Sequence, residues 1–596
     1  MHDLMLSSHG QRRASLITLA LACAYLLTAS LIGNSYVLLI MALLPIWALV
    51  GVSWNIFSGY SGLLSFGHAA FFGLGAYTVA VLFVKFDLTP WLGMPLAGLV
   101  GALAGLLIGA VTFRLRGVYF SLAMLAYPLS MLYLFEWLGL QEIALPMKRG
   151  QPLAYMQFDN PRAYIFIGVA LLVAAVLTDI RIGRSRFGLS LLAIKQNELA
   201  AQAAGINPFR WKLLALVISG AMAAMAGGLY AVLLVIVTPH SAFGMLVSAQ
   251  ALIFTMFGGV GHVAGPVLGA AILIPLSEFL SGSIGDHLPG IHGVIYGVAI
   301  IAVVLVAPEG VLPWLKRRFT AAQPRRITSA TSHAPASVAD VSDADHRPSQ
   351  IGPVIMQVEH LSRHYGGLQA VADVSFDVRE GEILGIIGPN GAGKTTLFNL
   401  LNRIVPPSSG RVLYRARDLE GLAPDEVCRL GIGRTFQVAR PFARLSVLDN
   451  VVVGALAVEP RNDKAMAIAY EALQQVGLED TAQQLAGSLT AVQLRLMEVA
   501  RALAGKPRLL LLDEVLAGLG GSEVDRVVQV LKRLSDSGLT IIIIEHTMHV
   551  MVRLVDRLLV LNHGKVLTVG EPAEVTSHAR VIEAYLGKKW MNHAAD

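Results

Sequence analysis

Nine consecutive residues, Gly388, Pro389, Asn390, Gly391, Ala392, Gly393, Lys394, Thr395 and Thr396, have the types and spacing to hold a triphosphate. They follow the apolar run Ile383 to Ile387 and precede the helical pattern Leu397 to Leu401, the strand, loop and helix order that G-x-x-x-x-G-K-[ST] needs. Glycines at 388, 391 and 393 let backbone N–H groups turn inward around phosphates, and the start of the next helix adds positive potential. Lys394 is placed to reach the β- and γ-phosphates, and the Thr395 hydroxyl to hold Mg²⁺. ATP and Mg²⁺ are therefore the expected cofactors. Further on, the run Leu509 to Leu512 ends in Asp513 and Glu514. A buried strand there would deliver one carboxylate to Mg²⁺ and set the other to polarise an attacking water. Alone, two acids after an apolar run more often cap a strand or a helix; after a phosphate loop they complete a hydrolytic set.

These groups need a sheet behind them. From residue 354 to the end, short apolar runs at Val354–Val358, Val374–Val378, Leu509–Leu512, Ile541–Ile544 and Leu558–Leu561 alternate with amphipathic helical patterns, which predicts an α/β nucleotide-binding domain over 354–596. The preceding residues are of another kind. The chain of 596 residues is 55% hydrophobic and 14% charged, and residues 15 to 310 carry nearly all of the long apolar runs. A helix needs about 20 apolar residues to span a bilayer core of about 30 Å. That ruler places ten spans near 15–33, 38–57, 62–85, 90–113, 117–138, 162–179, 213–237, 243–258, 264–283 and 290–310, the 243–258 piece short enough to be re-entrant. The fold expected is thus a polytopic helical membrane domain of about ten spans, residues 1–318, fused to the α/β domain.

Charge supports this topology. With Arg12 and Arg13 inside, ten spans put Arg114, Arg116, Arg181, Arg184, Arg186, Lys195, Arg210, Lys212 and Lys316 to Arg318 on the cytoplasmic side, with Lys148 and Arg149 outside as a minor exception. The net charge of +6 follows these membrane-flanking clusters, so membrane lipid is the expected surrounding and nucleic acid is not an expected partner. The first apolar segment lacks a small-residue cleavage site followed by a soluble domain and reads as a retained helix. Two cysteines, Cys23 and Cys428, imply neither a disulfide framework nor a metal site. Residues 319–353 turn to Ala, Ser, Thr, Pro, Asp and His without apolar periodicity, a disordered linker with a root-mean-square span on the order of 30 Å. His68, Asn55, Gln250 and Glu278 lie in apolar runs, where a polar group either lines a pathway or is satisfied between helices.

The α/β half resembles the ATPase subunit of ATP-binding-cassette transporters: Tyr365, the phosphate loop, Gln437 within Arg434-Thr-Phe-Gln437, Asp513-Glu514, and His546 after Ile541 to Glu545 occur in the family's order. The resemblance implies that Tyr365 stacks on adenine, Gln437 senses Mg²⁺ and the membrane domain, Glu514 is the general base and His546 contacts the γ-phosphate. As residue types alone, Gln, His and Tyr are as often surface or core groups. A narrower resemblance is to branched-chain (hydrophobic) amino-acid importers, carried by Ile543-Ile-Glu-His-Thr-Met548 and Val581-Ile-Glu-Ala-Tyr-Leu-Gly587. The runs Ser58 to Tyr77 and Phe257 to Gly269 are similar to permeases of the same family. It implies permease and ATPase on one chain in the bacterial cytoplasmic (inner) membrane. It further implies three partners: a second permease, a second ATPase and a periplasmic solute-binding protein. Leucine, isoleucine and valine are the implied solutes, with urea, short amides or aromatic acids as alternatives. A fused exporter is disfavoured by the short, Gly-rich spans.

Two features need the structure. Residues 190–205 read as a short cytoplasmic helix closed by Gly205, similar to the family's coupling helix, with Glu198 and Gly205 as candidates and an ordinary solvated helix as the alternative. The family signature, near Leu-Ser-Gly-Gly-Gln, is degenerate here: Leu489, Thr490, Ala491, Val492 and Gln493, with Val492 in place of the second glycine. Val515 also stands where proline is usual. This erosion leaves one of two composite ATP sites doubtful and keeps open an ATP-gated channel or regulatory protein with weak hydrolysis.

Overall fold

The computed structural model describes residues 8–586, apart from 116, 149, 184, 285–290, 308 and 321–350. Arg116, Arg149, Arg184 and nearly all of the expected linker lie outside the described residues. Contacts divide the chain into two compact units, one of Met1–Lys195 with Phe209–Ser332, the other of Gln196–Pro208 with His333–Asp596.

In the first unit, helices occupy all ten expected positions. Among the described residues, eight are long and apolar enough to cross a membrane, and a further apolar helix runs Gly265–Ile284. The last is Ile291–Val306, beginning where the described residues resume. The expected span 62–85 is interrupted: residues 62–67 are not helical and the helix begins at His68. That break follows a π-turn at Asn55–Gly59. Its backbone is satisfied from within the protein, since Trp54 Nε1 donates to the Ser65 carbonyl, Ser65 N to Ser58 Oγ and Gly67 N to Ser65 Oγ. Irregular backbone persists at membrane depth only under such conditions. The Gly-rich helices pack closely. A Cβ on Gly101 would strike the Gly220 carbonyl, and one on Gly258 the Gly265 carbonyl.

The second unit is built on ten strands. The outer sheet comprises β1 (Val354–Tyr365), β2 (Leu368–Arg379), β4 (Ser409–Tyr414) and β5 (Arg417–Asp418), in the order β2-β1-β4-β5. The central sheet comprises β3 (Ile383–Ile387), β6 (Ile432–Arg434), β7 (Leu509–Asp513), β8 (Thr540–Ile544), β9 (Arg557–Asn562) and β10 (Lys565–Gly570), in the order β10-β9-β3-β8-β7-β6. All its neighbours are parallel except the β9–β10 edge pair. Strands covered on both faces must be apolar throughout, and β3, β7 and β8 are buried along their whole length. Leu384, Ile386, Leu509, Leu511, Ile542 and Ile544 share one core with Leu397, Phe398 and Leu401 of α2 (Lys394–Leu401). Each such side chain contributes about 1.5–3 kcal/mol by leaving water. Registers Ile386↔Ile544 and Ile544↔Asp513 bring the ends of β3, β8 and β7 side by side. The phosphate loop leaves the first of these ends, and the two acids leave the last.

Candidate functional site

The phosphate loop is shaped by its glycines. Gly388 has φ +156° and Gly393 φ +100°, and a Cβ on either would run into a carbonyl, that of Leu561 or Ala370. Only glycine fits at either point. Lys394 opens α2 and folds back over the loop, donating from Nζ to the Gly388 carbonyl at 2.7 Å and to the Pro389 carbonyl at 3.1 Å. Burial pushes its ammonium below the usual lysine value, while Glu514 and Asp513 pull it back up. Thr395 is exposed.

Across the sheet, β7 delivers two carboxylates to different surroundings. Asp513 is 1% exposed; its Oδ2 is paired with Arg434 at 3.5 Å, and its Oδ1 has no hydrogen-bond donor. Burial raises its carboxyl and lowers the Arg434 guanidinium to about 10, so at neutral pH the arginine still holds its charge against the acid. An orphaned buried acceptor suits a hard divalent cation, which takes oxygen ligands and keeps its own waters. Glu514 sits at φ +50°, a left-handed backbone costing about 1–2 kcal/mol for a residue with a Cβ. Its amide is anchored on the Ile544 carbonyl at 2.9 Å. Its carboxylate is held from both sides: Gln437 Nε2 donates to Oε2 at 2.9 Å, and His546 Nε2 lies 2.6 Å from Oε1. Gln437 follows β6, Glu514 follows β7 and His546 follows β8, so three strand ends converge on one carboxylate.

Two further acids and bases brace this set. Glu545, 2% exposed, accepts the Leu516 amide at 2.7 Å and so ties the turn after Glu514 to the end of β8; burial lifts its carboxyl to about 7. Arg495, on α4 (Ala491–Ala504), donates to the carbonyls of Phe436 at 3.0 Å and Gln437 at 2.7 Å.

The degenerate signature is an ordered helix start. Thr490 caps α4 and exchanges hydrogen bonds with Gln493, Oγ1 accepting from the Gln493 amide and the Gln493 side chain accepting from the Thr490 amide. Leu489 and Val492 are buried and Ala491 is exposed. The short cytoplasmic helix also takes shape, as α1 (Glu198–Ala203), capped by Asn197. The helical stretch expected across 190–205 is interrupted before that cap, with one helix ending at Gln196 and α1 starting at Glu198. Residues 196–208 belong to the same compact unit as the α/β fold. There α1 packs on α3 (Pro424–Arg429), Asn207 Nδ2 donates to Asp425 Oδ2 at 3.3 Å, and the Arg444 amide donates to Gln196 Oε1 at 2.9 Å. Gly205, at φ +83°, lies against Ala457 and Cys428, where an added Cβ would be 2.6 Å from the Ala457 Cβ. Glu198 is exposed on the first turn.

The structure therefore gathers Lys394, Asp513, Glu514, Gln437 and His546 around the ends of the parallel strands. Tyr365 stands apart at the end of β1, 43% exposed, with the Arg363 guanidinium 4.7 Å from its ring centroid. Of the polar residues in apolar runs, His68 is fully buried between Ser65 and Ser219, at 3.1 and 2.8 Å. Asn55 accepts the Gly261 amide and donates to Asp179, and Glu278 accepts from Tyr36. Asp179, Glu545 and Arg495 were not legible in the sequence. A lone acid at a span end, or an arginine on an amphipathic helix, has no local signal separating it from a solvated charge.

This parallel sheet, its phosphate loop and the converging carboxylates, beside a unit of membrane-length helices, define an ATP-binding-cassette transporter. Residues 371–517 match the family described as ABC transporter, residues 36–304 that described as branched-chain amino acid transport system / permease component, and residues 565–589 that described as branched-chain amino acid ATP-binding cassette transporter. The high-affinity branched-chain amino acid transport ATP-binding protein LivG of Salmonella typhimurium is 36% identical over 250 residues, 39% of this chain and 98% of the relative. BraF of Pseudomonas aeruginosa, described in the same words, is 34% identical over the same shares. A solved nucleotide-free ATP-binding cassette from an ABC transporter is 28% identical, covering 39% of this chain and 100% of that one at TM-score 0.37. The chain belongs to the branched-chain amino acid ATP-binding-cassette transporter family, with the permease component and the ATPase on one polypeptide. It is a membrane protein with a cytoplasmic ATPase that binds ATP and couples its hydrolysis to transport.

Proposed function

We propose that this chain imports leucine, isoleucine and valine across the bacterial inner membrane, as permease (1–318) and ATPase (354–596) joined by the 319–353 linker. It would work with a second permease, a second ATPase and a periplasmic binding protein. The observation that carries the hydrolytic part is the convergence of Gln437 and His546 on the Glu514 carboxylate. Glu514 is the base: once its oxygens are released, it takes a proton from the attacking water. His546 then turns Nε2 to the γ-phosphate, and Lys394 exchanges the Gly388 and Pro389 carbonyls for phosphate oxygens. Asp513, Thr395 and Gln437 would hold Mg²⁺, which neutralises charge developing on the phosphate oxygens. Tyr365 offers an exposed ring to adenine. Glu198 and Gly205 belong to the segment that carries motion between hydrolysis and the permease.

Val492 makes the two composite sites unequal. A second ATPase with an intact signature would complete the site of Lys394 and Glu514, while the site completed by Val492 would bind ATP and turn it over poorly, because a Cβ blocks close backbone approach to phosphate. The test is reconstitution of the full complex in proteoliposomes with labelled leucine, isoleucine and valine. ATP-dependent uptake, lost in Glu514→Gln with ATP binding retained, supports the reading. Absence of uptake of all three solutes overturns it, and normal ATP turnover by the chain without a second ATPase overturns the asymmetry.

A further inference from the structure

Gln437 lies on a loop, and its side chain is useful only if that loop is held. The loop leaves β6 at Arg434 and is exposed at Gln437 and Val438. Exposed connections move unless something pins their backbone. Here the pins come from α4. The Arg495 fork spans two successive carbonyls, Phe436 at 3.0 Å and Gln437 at 2.7 Å, and its side chain is 12% exposed. Two residues further along the same helix hold the far end of the loop. Glu498 Oε1 accepts the Arg440 amide at 2.7 Å, and Arg501 Nη1 donates to the Arg440 carbonyl at 2.9 Å. Glu498 and Arg501 are themselves paired at 3.2 Å, with Arg495 3.9 Å away. Arg495, Glu498 and Arg501 follow one another at three-residue intervals, so they lie along one side of the helix. Val492 precedes Arg495 by the same interval.

We propose that Arg495 is a positioning residue for hydrolysis: by gripping the Phe436 and Gln437 carbonyls it locks the glutamine loop to α4 and holds the Gln437 side chain beside Glu514, from where it can exchange the carboxylate for Mg²⁺. The chain of contacts is short and continuous. The first turn of α4 carries Val492 and Arg495, Arg495 holds the Gln437 backbone, and Gln437 Nε2 donates to Glu514 Oε2 at 2.9 Å. A displacement of that first turn therefore moves the amide that faces the base. The fork matters more than the charge. A guanidinium bridges two carbonyls at fixed spacing, whereas an ammonium is a single point donor. The proposal rests on the reading of Glu514 as the base.

The test uses the full chain in its reconstituted complex, with Arg495→Ala, Arg495→Lys, Gln437→Ala and the double variant Arg495→Ala/Gln437→Ala. Arg495→Ala is expected to lower kcat for ATP about tenfold or more, as loss of a positioning contact does, with KM changed less than about twofold. Arg495→Lys should recover only part of the rate. Amide hydrogen exchange over 436–440 should quicken in Arg495→Ala while α4 keeps its protection. The double variant should match Gln437→Ala alone, because both changes break the same link. Losses that multiply in the double variant, full activity in Arg495→Ala, or full rescue by lysine would overturn the proposal. A Glu514→Gln variant that keeps its turnover would instead overturn the assignment of the base, and the exchange measurement would still report whether Arg495 holds the loop.

Discussion

The Nε2 atom of His546 lies 2.6 Å from Oε1 of Glu514, and Gln437 occupies the other oxygen of the same carboxylate. Both oxygens of that carboxylate are therefore engaged by side chains of the protein. The proposed base is thus capped by the two side chains that the family resemblance assigns to phosphate and Mg²⁺. In the proposed mechanism these two contacts open before Glu514 takes a proton.

Replacing His546 by Ala removes one cap and, in the proposed mechanism, the γ-phosphate contact as well. ATP turnover should fall by roughly 10²-fold, the scale of a lost transition-state donor. Affinity for ATP should change only a few-fold, because Lys394 and the loop amides are untouched. Steady-state turnover alongside fluorescent-nucleotide titration separates the two quantities.

Lys394→Ala should act on binding first. The ammonium now satisfies two loop carbonyls and would supply charge-assisted bonds to phosphate, each worth about 1.5–3 kcal/mol. ATP affinity should drop by about 10- to 100-fold. Equilibrium binding to the detergent-solubilised chain checks this.

Val492→Gly separates stability from catalysis. Val492 is 6% exposed in the first turn of α4, so glycine gives up its burial and adds backbone entropy to the unfolded chain. The expected cost to the ATPase unit is roughly 2–3 kcal/mol. Turnover in the assembled complex should nonetheless rise or stay level, since the Cβ at the second-glycine position is gone. A lower melting temperature together with a lower rate per folded molecule would contradict this.

Glu545 sets a pH dependence. Its carboxyl titrates near 7 in the folded protein against an ordinary 4.5, because burial disfavours the charge. Between those values the folded state keeps a proton that the unfolded state has lost, so stability falls as pH rises through this window, by roughly 3 kcal/mol in all. Glu545→Gln retains an acceptor for the Leu516 amide and removes the titration. The difference in melting temperature between the native chain and this variant should therefore widen from pH 5 to pH 8, with the variant gaining.

Gly205→Val tests the short cytoplasmic segment. The glycine has φ +83° and presses on Ala457 and Cys428, so a branched side chain must displace 196–208 from its contact with them. Solute uptake should fall at least tenfold while ATP turnover in detergent persists, the scale of a misplaced mechanical contact. Cys428, buried with its thiol pushed up to about 12, should become open to maleimide in the variant.

Local chemistry made much of this protein legible in its sequence. A phosphate loop is nine neighbouring residues with fixed backbone demands, an apolar run of membrane length has few other uses, and a fully buried parallel strand reads as uninterrupted Ile and Leu. For those elements the residues that interact are also close in the chain. Elsewhere the tertiary structure decided. Composition ran straight through residues 62–67, yet Ser58, Ser65 and Trp54 there satisfy a broken backbone that no hydropathy average detects. Ten apolar runs gave helices at all ten places, eight of them of crossing length among the described residues. The convergence of Gln437, Glu514 and His546 joins residues up to 109 positions apart through the register of three strands, and the Arg495 grip joins a helix to a loop 58 positions earlier. Such pairings depend on which surfaces meet when the sheet closes, a relation that spacing along the chain does not carry.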